Sequence, residues 1–311
     1  VKKFLDLLSP RLVVFSTYDI WPNFLMEAAQ RGIPMILING SLPENSGRLR
    51  MPGRIFFKRL YSGLRAAGAV TSDDAARFEL LGLPCERARV TGNCRFDQTL
   101  ARCRSVAPDD PDLSAIPEMS AMMVAGSTWP EDLARLLPAL QKVMERHPDL
   151  GAVIAPHEPS PGRVAEVERF FAPAGLETIR YTRLRAGAAG KGARVVVVDT
   201  VGVLYKLYRK GTMAYVGGSF KQGVHNVMEP AGMGIPVIVG PVHLNSAEAV
   251  EMIRSGAAVN VNDADEMEAA LERWMENPAA RKEAGERALQ VVEQNAGATS
   301  RTVTMVKEFL P

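Results

Sequence analysis

Tyr215-Val216-Gly217-Gly218-Ser219-Phe220-Lys221-Gln222-Gly223-Val224-His225-Asn226-Val227-Met228-Glu229-Pro230 couples a strand-like run to a helix-like one. Apolar residues from Met213 to Val216 stop at Gly-Gly-Ser, and helical spacing resumes at His225-Asn226, with Glu229 one turn further on. Paired glycines carry no Cβ, so Gly217 and Gly218 let backbone N–H groups come close to a ligand. The start of a helix leaves N–H groups unpaired and carries partial positive charge, which suits an anion. Glu229 falls on the helical face of Asn226, where it can accept hydrogen bonds from a sugar diol. Together with Ser219 and His225, these residues describe a pocket for a nucleotide-activated sugar.

On either side, short apolar runs alternate with amphipathic stretches. Expected strands are Leu12–Phe15, Met35–Ile38, Gly68–Val70, Ala88–Val90, Ala121–Ala125 and Ala152–Ala155, then Val195–Val198, Met213–Val216, Val237–Val239 and Ala257–Asn260. Helical spacing covers Asn23–Gln30, Asp74–Leu81, Asp132–Glu145, Val164–Phe171, Ala247–Arg254 and Glu266–Met275. Continuous Val, Ile and Leu strands separated by helices predict parallel sheets covered on both faces, an α/β fold. The 311 residues suffice for two domains. Residues 104–118, with three prolines and three aspartates, read as a linker. The chain then divides into an incomplete N-terminal Rossmann-like domain (1–103), the linker, and a nucleotide-sugar-binding Rossmann-like domain (119–295). The final helix, 296–311, packs back on the first domain. Residues 183–192, rich in Gly and Ala, read as a mobile loop. Two such domains leave a cleft, and ligands bind beyond the carboxyl ends of their strands.

Composition excludes several classes. With 47% hydrophobic and 23% charged residues the chain is globular, and a net charge of +2 argues against a general nucleic-acid binder. Cys85, Cys94 and Cys103 lie nine residues apart without a C-x-x-C pair, and read as reduced thiols rather than zinc ligands. No apolar run reaches the length of a membrane span, and no nucleophile elbow or Walker loop is present.

Polar clusters follow the expected strands. Gly126-Ser127-Thr128 precedes Trp129-Pro130-Glu131-Asp132, whose proline and acids mark a helix start. Ser127 or Thr128 either caps that helix or also holds a phosphate or carboxylate. His157, between two prolines, is either a donor contact or a solvated loop residue. Asp199 and Thr200 either close a turn or face the nucleotide. In the first third, Asp19, Asn39 and Asn93 follow strands and form an opposing rim. Between positions 48 and 65 lie Arg48, Arg50, Arg54, Lys58, Arg59 and Arg65, no acid, and interleaved aromatics. This segment is either a solvated basic helix or a docking face for an anionic membrane or a phosphorylated lipid.

Asp19-Ile20-Trp21-Pro22-Asn23, Thr91-Gly92-Asn93 with Phe96-Asp97, Gly126-Ser127-Thr128, Asp199-Thr200-Val201-Gly202, and Gly217-Gly218-Ser219 through Glu229-Pro230 occur in that order. The set resembles the 3-deoxy-D-manno-octulosonic acid (Kdo) transferases of lipopolysaccharide synthesis. The resemblance implies a GT-B fold and a metal-independent, cofactor-free, inverting transfer of Kdo. The donor would be CMP-Kdo and the acceptor a lipid A precursor (lipid IVA), at the cytoplasmic face of the bacterial inner membrane. It places Gly126, Ser127 and Thr128 on the donor's anionic groups and Asp199, Thr200 and Gly202 near the cytidine. Gly217, Gly218, Ser219, Asn226 and Glu229 would line phosphate and ribose, and the basic segment would face acceptor phosphates or the membrane. Thr17-Tyr18-Asp19 stands where many members have Glu-Thr-Glu, Asn39-Gly40-Ser41 lacks an arginine frequent there, and Pro156-His157-Glu158 replaces Pro-Arg-His-Pro. The general base and the membrane anchor are expected before Val1, so this chain alone is expected to bind CMP or CMP-Kdo while transferring little sugar. A UDP-sugar transferase, a UDP-N-acetylglucosamine 2-epimerase and an inactive sugar- or lipid-binding module remain open as alternatives.

Overall fold

The computed structural model describes residues 1–188, 190 and 192–310. The chain forms two compact units, Val1–Gln98 with the C-terminal stretch from Asn295, and Thr99–Gln294. No helix among the described residues is long and apolar enough to cross a membrane.

In the first unit, β1 (Val13–Ser16), β2 (Met35–Gly40), β3 (Ala66–Ala69) and β4 (Ala88–Val90) form a parallel sheet in that order. The helices Pro22–Gln30, Gly53–Tyr61 and Ser72–Leu80 connect them. Leu25, Leu37, Tyr61, Leu64 and Phe78 are buried in the main core of this unit. The helix Ala298–Lys307 lies on β2 and β3, with Met305 buried beside Ile36 and Ala66. Asp97 fixes the entry to that helix: its carboxylate accepts from the Gly297 N–H at 2.6 Å and the Thr299 N–H at 2.8 Å. Burial alone would raise the Asp97 pKa; these backbone donors outweigh it and hold the carboxyl below its usual range.

The second unit holds β5 (Ala121–Thr128), β6 (Leu150–Pro156), β7 (Thr178–Arg180), β8 (Val195–Val197), β9 (Met213–Val216), β10 (Val237–Val239) and β11 (Ala258–Asn260). They form one parallel sheet in the order β11-β10-β9-β5-β6-β8-β7. Every residue of β6, β8, β9 and β10 is buried, as continuous apolar strands require when helices cover both faces. From β5 the chain winds outward to β6, β8 and β7 on one side, and later to β9, β10 and β11 on the other. The crevice at the carboxyl ends of β5 and β9 is therefore the switch point of the sheet.

Several expectations change. Residues 104–118 are part of the second unit, because Val106, Leu113 and Ile116 are buried in its core. A helix over Cys94–Ser105 contains the division between the units and was hidden by its polar composition. β7 was not expected: it is a three-residue, half-buried edge strand with no apolar run to announce it. In the expected loop 183–192, Tyr181–Arg185 is helical, and positions 189 and 191 lie outside the described residues.

Candidate functional site

Register brings the key loops together. Ala125 pairs with Tyr215 and Gly126 with Val216, so Ser127, near the carboxyl end of β5, runs beside Gly217. A Cβ on Gly217 would stand 2.2 Å from the Ser127 carbonyl oxygen, and one on Gly126 would overlap the Tyr208 hydroxyl at 2.0 Å. Gly218 has φ +82°, open to glycine without strain. The glycine pair therefore permits backbone to pack on backbone. Its own N–H groups are committed within the unit: Gly217 donates to the Gly126 carbonyl at 2.9 Å, and Gly218 to the Asp132 carboxylate at 2.8 Å. This corrects the expectation that these two amides face a ligand.

Asp132 is the fixed point of the crevice. It is fully buried in the first turn of the helix Pro130–Arg146. Its carboxylate accepts from the Trp129 N–H (2.8 Å), the Gly218 N–H (2.8 Å) and the Tyr215 hydroxyl (2.6 Å). Hydrogen bonds to a charged group are worth about 1.5–3 kcal/mol each, so this carboxylate locks the β5 and β9 loops together. Burial first, and then Asp132, push the Tyr215 hydroxyl well above its usual pKa. Ser219 is fully buried, bonded to the Val216 carbonyl, the Gly240 N–H and Tyr215. It braces the loop from beneath and has no surface to offer a donor. Thr128 is likewise buried.

Three rings lie above this floor. Trp129 Nε1 donates to His225 Nε2 at 2.8 Å, and the two rings are nearly coplanar at 8°. His157 stacks across both, 4.7 Å from Trp129 and 4.5 Å from His225. The indole donor requires a lone pair on Nε2, so His225 is neutral in this arrangement. Burial, then the neighbouring His157, lower the His225 pKa; Asp132 opposes them weakly.

The helix expected from His225 starts later, at Met228, and ends at Gly232, because the Asn226 side chain turns back to accept from the Met228 N–H at 3.1 Å. Glu229 sits in that short helix, its side chain 17% exposed and paired with Arg102 at 3.2 Å. Tyr208, whose hydroxyl Gly126 accommodates, has its pKa raised by burial and then by the charge of Glu229. A chain of neighbours thus runs from Gly218 through Asp132 and Trp129 to the β5 end, and from Gly126 through Tyr208 to Glu229. Among the described residues, the Ser127 hydroxyl, the Thr200 hydroxyl and the Asn226 amide nitrogen have no hydrogen-bond partner. Ser127 also holds φ +54°, a left-handed conformation uncommon outside glycine. Asp199 is turned to other use: its carboxylate accepts from the Thr182 N–H (2.9 Å) and hydroxyl (2.6 Å), closing a turn beside β7. Gly202 is exposed, with φ +85°.

In the first unit, Asn39 Oδ1 accepts from the Cys94 N–H at 2.9 Å and Asn93 Oδ1 from the Arg95 N–H at 3.0 Å. Both asparagines therefore order the start of the helix Cys94–Ser105, while Asp19 is exposed. Arg48 is pinned inward, donating to the Tyr61 hydroxyl at 3.0 Å and the Tyr18 carbonyl at 2.7 Å. Arg50, Arg54, Lys58 and Arg59 form no ion pair among the described residues. Met51, Ile55 and Phe56 are exposed beside them.

Asp132, the Trp129–His225 bond and Arg102 were not singled out from sequence. The proline and acids after β5 signalled a helix start, and Asp132 at its third position was the clue available.

Residues 1–98 match the family model described as 3-deoxy-D-manno-octulosonic-acid transferase (kdotransferase). The whole chain is 25% identical to a 3-deoxy-D-manno-octulosonic acid transferase of Haemophilus influenzae, covering 72% of it. It is 28% identical to the protein of that name from Chlamydia pneumoniae, again over the whole chain and 70% of the relative. Among solved structures, the UDP-GlcNAc 2-epimerase of Neisseria meningitidis bound to UDP-GlcNAc is similar, with a TM-score of 0.61 at 15% identity, covering 99% of this chain and 78% of that one. That likeness is one of fold: two Rossmann-like units with parallel sheets, the GT-B architecture.

Proposed function

We propose that this chain, which belongs to the 3-deoxy-D-manno-octulosonic acid (Kdo) transferase family, is a glycosyltransferase that moves Kdo from CMP-Kdo to a lipid A precursor, lipid IVA. The observation that supports the reading is the crevice at the ends of β5 and β9, where Asp132 ties the Gly218 N–H to the start of the helix Pro130–Arg146 and Trp129 is bonded to His225, with Asn226 and Glu229 following in the same segment of chain. The unpartnered Ser127 hydroxyl and Asn226 amide suit the anionic oxygens of the donor. Glu229 suits the ribose diol, and the exposed His157 ring closes one wall.

In this reading the acceptor hydroxyl gives its proton to a general base as its oxygen attacks the anomeric carbon of Kdo in a single displacement. The bond from that carbon to the phosphate oxygen breaks, CMP departs with the electron pair, and the configuration inverts. Fixed donors at the phosphate stabilise the charge that develops on the leaving group. The first unit supplies the acceptor side: Arg50, Arg54, Lys58 and Arg59, with Met51, Ile55 and Phe56, form a cationic and apolar surface suited to lipid phosphates at the cytoplasmic face of the bacterial inner membrane. Each Lys or Arg near an anionic leaflet contributes about 1 kcal/mol.

The test is nucleotide selectivity. Thermal unfolding of the chain is followed with CMP and with UDP at equal concentrations. The reading predicts stabilisation by CMP; stabilisation by UDP alone would assign the chain to a different donor class.

A further inference from the structure

Glu229 is approached from the helix Cys94–Ser105 by two successive residues. Arg102 Nη1 donates to Glu229 Oε1 at 3.2 Å, and the Cys103 thiol donates to the Glu229 backbone carbonyl at 3.6 Å. The approach is tight. A Cβ on Gly232, at the end of the same short helix, would stand 2.9 Å from the Cys103 sulfur and 3.2 Å from Thr99. The Arg102 guanidinium also lies over the Tyr205 ring, 4.2 Å from its centroid. A cation on an aromatic face and beside a carboxylate is held at two places, and a planar guanidinium satisfies both where an ammonium satisfies one. Cys103 is buried, and burial followed by the Glu229 charge raises its thiol to about 11, so it acts as a packing group and a weak donor.

We propose that Arg102, stacked on Tyr205, is a positioning residue that holds the Glu229 carboxylate in the orientation from which it accepts the ribose hydroxyls of the donor nucleotide. The inference rests on the reading of Glu229 as the diol acceptor. Arg102 touches no part of the nucleotide in this account; it acts through Glu229. Its effect therefore belongs to the ribose hydroxyls and disappears when one of them is removed.

The experiment is calorimetric titration of the full chain with CMP and with 2′-deoxy-CMP, for wild type, Arg102→Met, Arg102→Lys, Tyr205→Ala and Glu229→Gln. Wild type should prefer CMP over the deoxynucleotide. Arg102→Met and Glu229→Gln should each weaken CMP about tenfold while changing 2′-deoxy-CMP less than twofold. Arg102→Lys should fall between, and Tyr205→Ala should shift the ratio of the two affinities in the same direction. If Glu229→Gln collapses the ratio while Arg102→Met, Arg102→Lys and Tyr205→Ala leave it intact, the role of Arg102 is overturned and that of Glu229 survives. Equal weakening of both nucleotides by Arg102→Met overturns the proposal too, since it marks a direct or general effect. Should Glu229→Gln leave the ratio unchanged, both readings fall together.

Discussion

At the scale of single residues, His225 links chemistry to stability. Its Nε2 accepts the Trp129 indole proton, and its pKa is lowered by burial and then by His157. The folded chain therefore holds His225 neutral, while the unfolded chain takes up a proton near pH 6.5. A group with a depressed folded pKa binds fewer protons in the native state. Its contribution is complete above the unfolded pKa and is lost as pH falls below about 6.5. Protonation would also set two donors face to face at 2.8 Å. Acidification from pH 7.5 to 5.5 should lower the melting temperature more in wild type than in His225→Asn. Identical pH dependence in the two proteins would remove His225 from this role.

At the scale of elements, the crevice depends on how closely β5 and β9 leave the sheet together. Gly217→Ala would place a methyl 2.2 Å from a backbone carbonyl, and such overpacking costs about 1–3 kcal/mol. The variant should unfold at a lower temperature and lose its stabilisation by CMP. Gly162→Ala is the control: its methyl meets nothing within 4 Å near the start of the helix Pro161–Phe171, and it should leave both properties unchanged. Wild-type behaviour of Gly217→Ala would contradict the packing account. Elements were legible in the sequence where burial on both faces leaves continuous apolar runs, as in Met213–Val216 and Val237–Val239. They were illegible where pairing rather than pattern decides, as in the edge strand Thr178–Arg180, or where three buried residues anchor an otherwise polar stretch, as in 104–118. The site divides in the same way. Glycines at a strand end announce a close approach, but what approaches is set by partners distant in sequence. Trp129 and His225 are 96 residues apart, Asp132 and Gly218 are 86, and Arg102 and Glu229 are 127. No local pattern records such pairs.

At the scale of the whole molecule, the two units carry different surfaces for different halves of the proposed reaction. The first bears Arg50, Arg54, Lys58 and Arg59, without an ion pair among the described residues, beside exposed Met51, Ile55 and Phe56; the second bears the crevice. Membrane attraction through such cations is additive and screened by salt. The chain should sediment with vesicles containing an anionic lipid and remain in solution with purely zwitterionic ones, and added salt should weaken the association. Replacing Arg50, Arg54, Lys58 and Arg59 together by Gln should abolish it without lowering the melting temperature, since none of the four is buried. Equal binding to both vesicle types would contradict this assignment. The donor side is tested most directly by calorimetric titration of CMP into wild type and Glu229→Ala. A hydrogen bond to a charged carboxylate is worth about 1.5–3 kcal/mol, so the account predicts that Glu229→Ala binds CMP at least about tenfold more weakly, whereas equal affinity in the two proteins would contradict it.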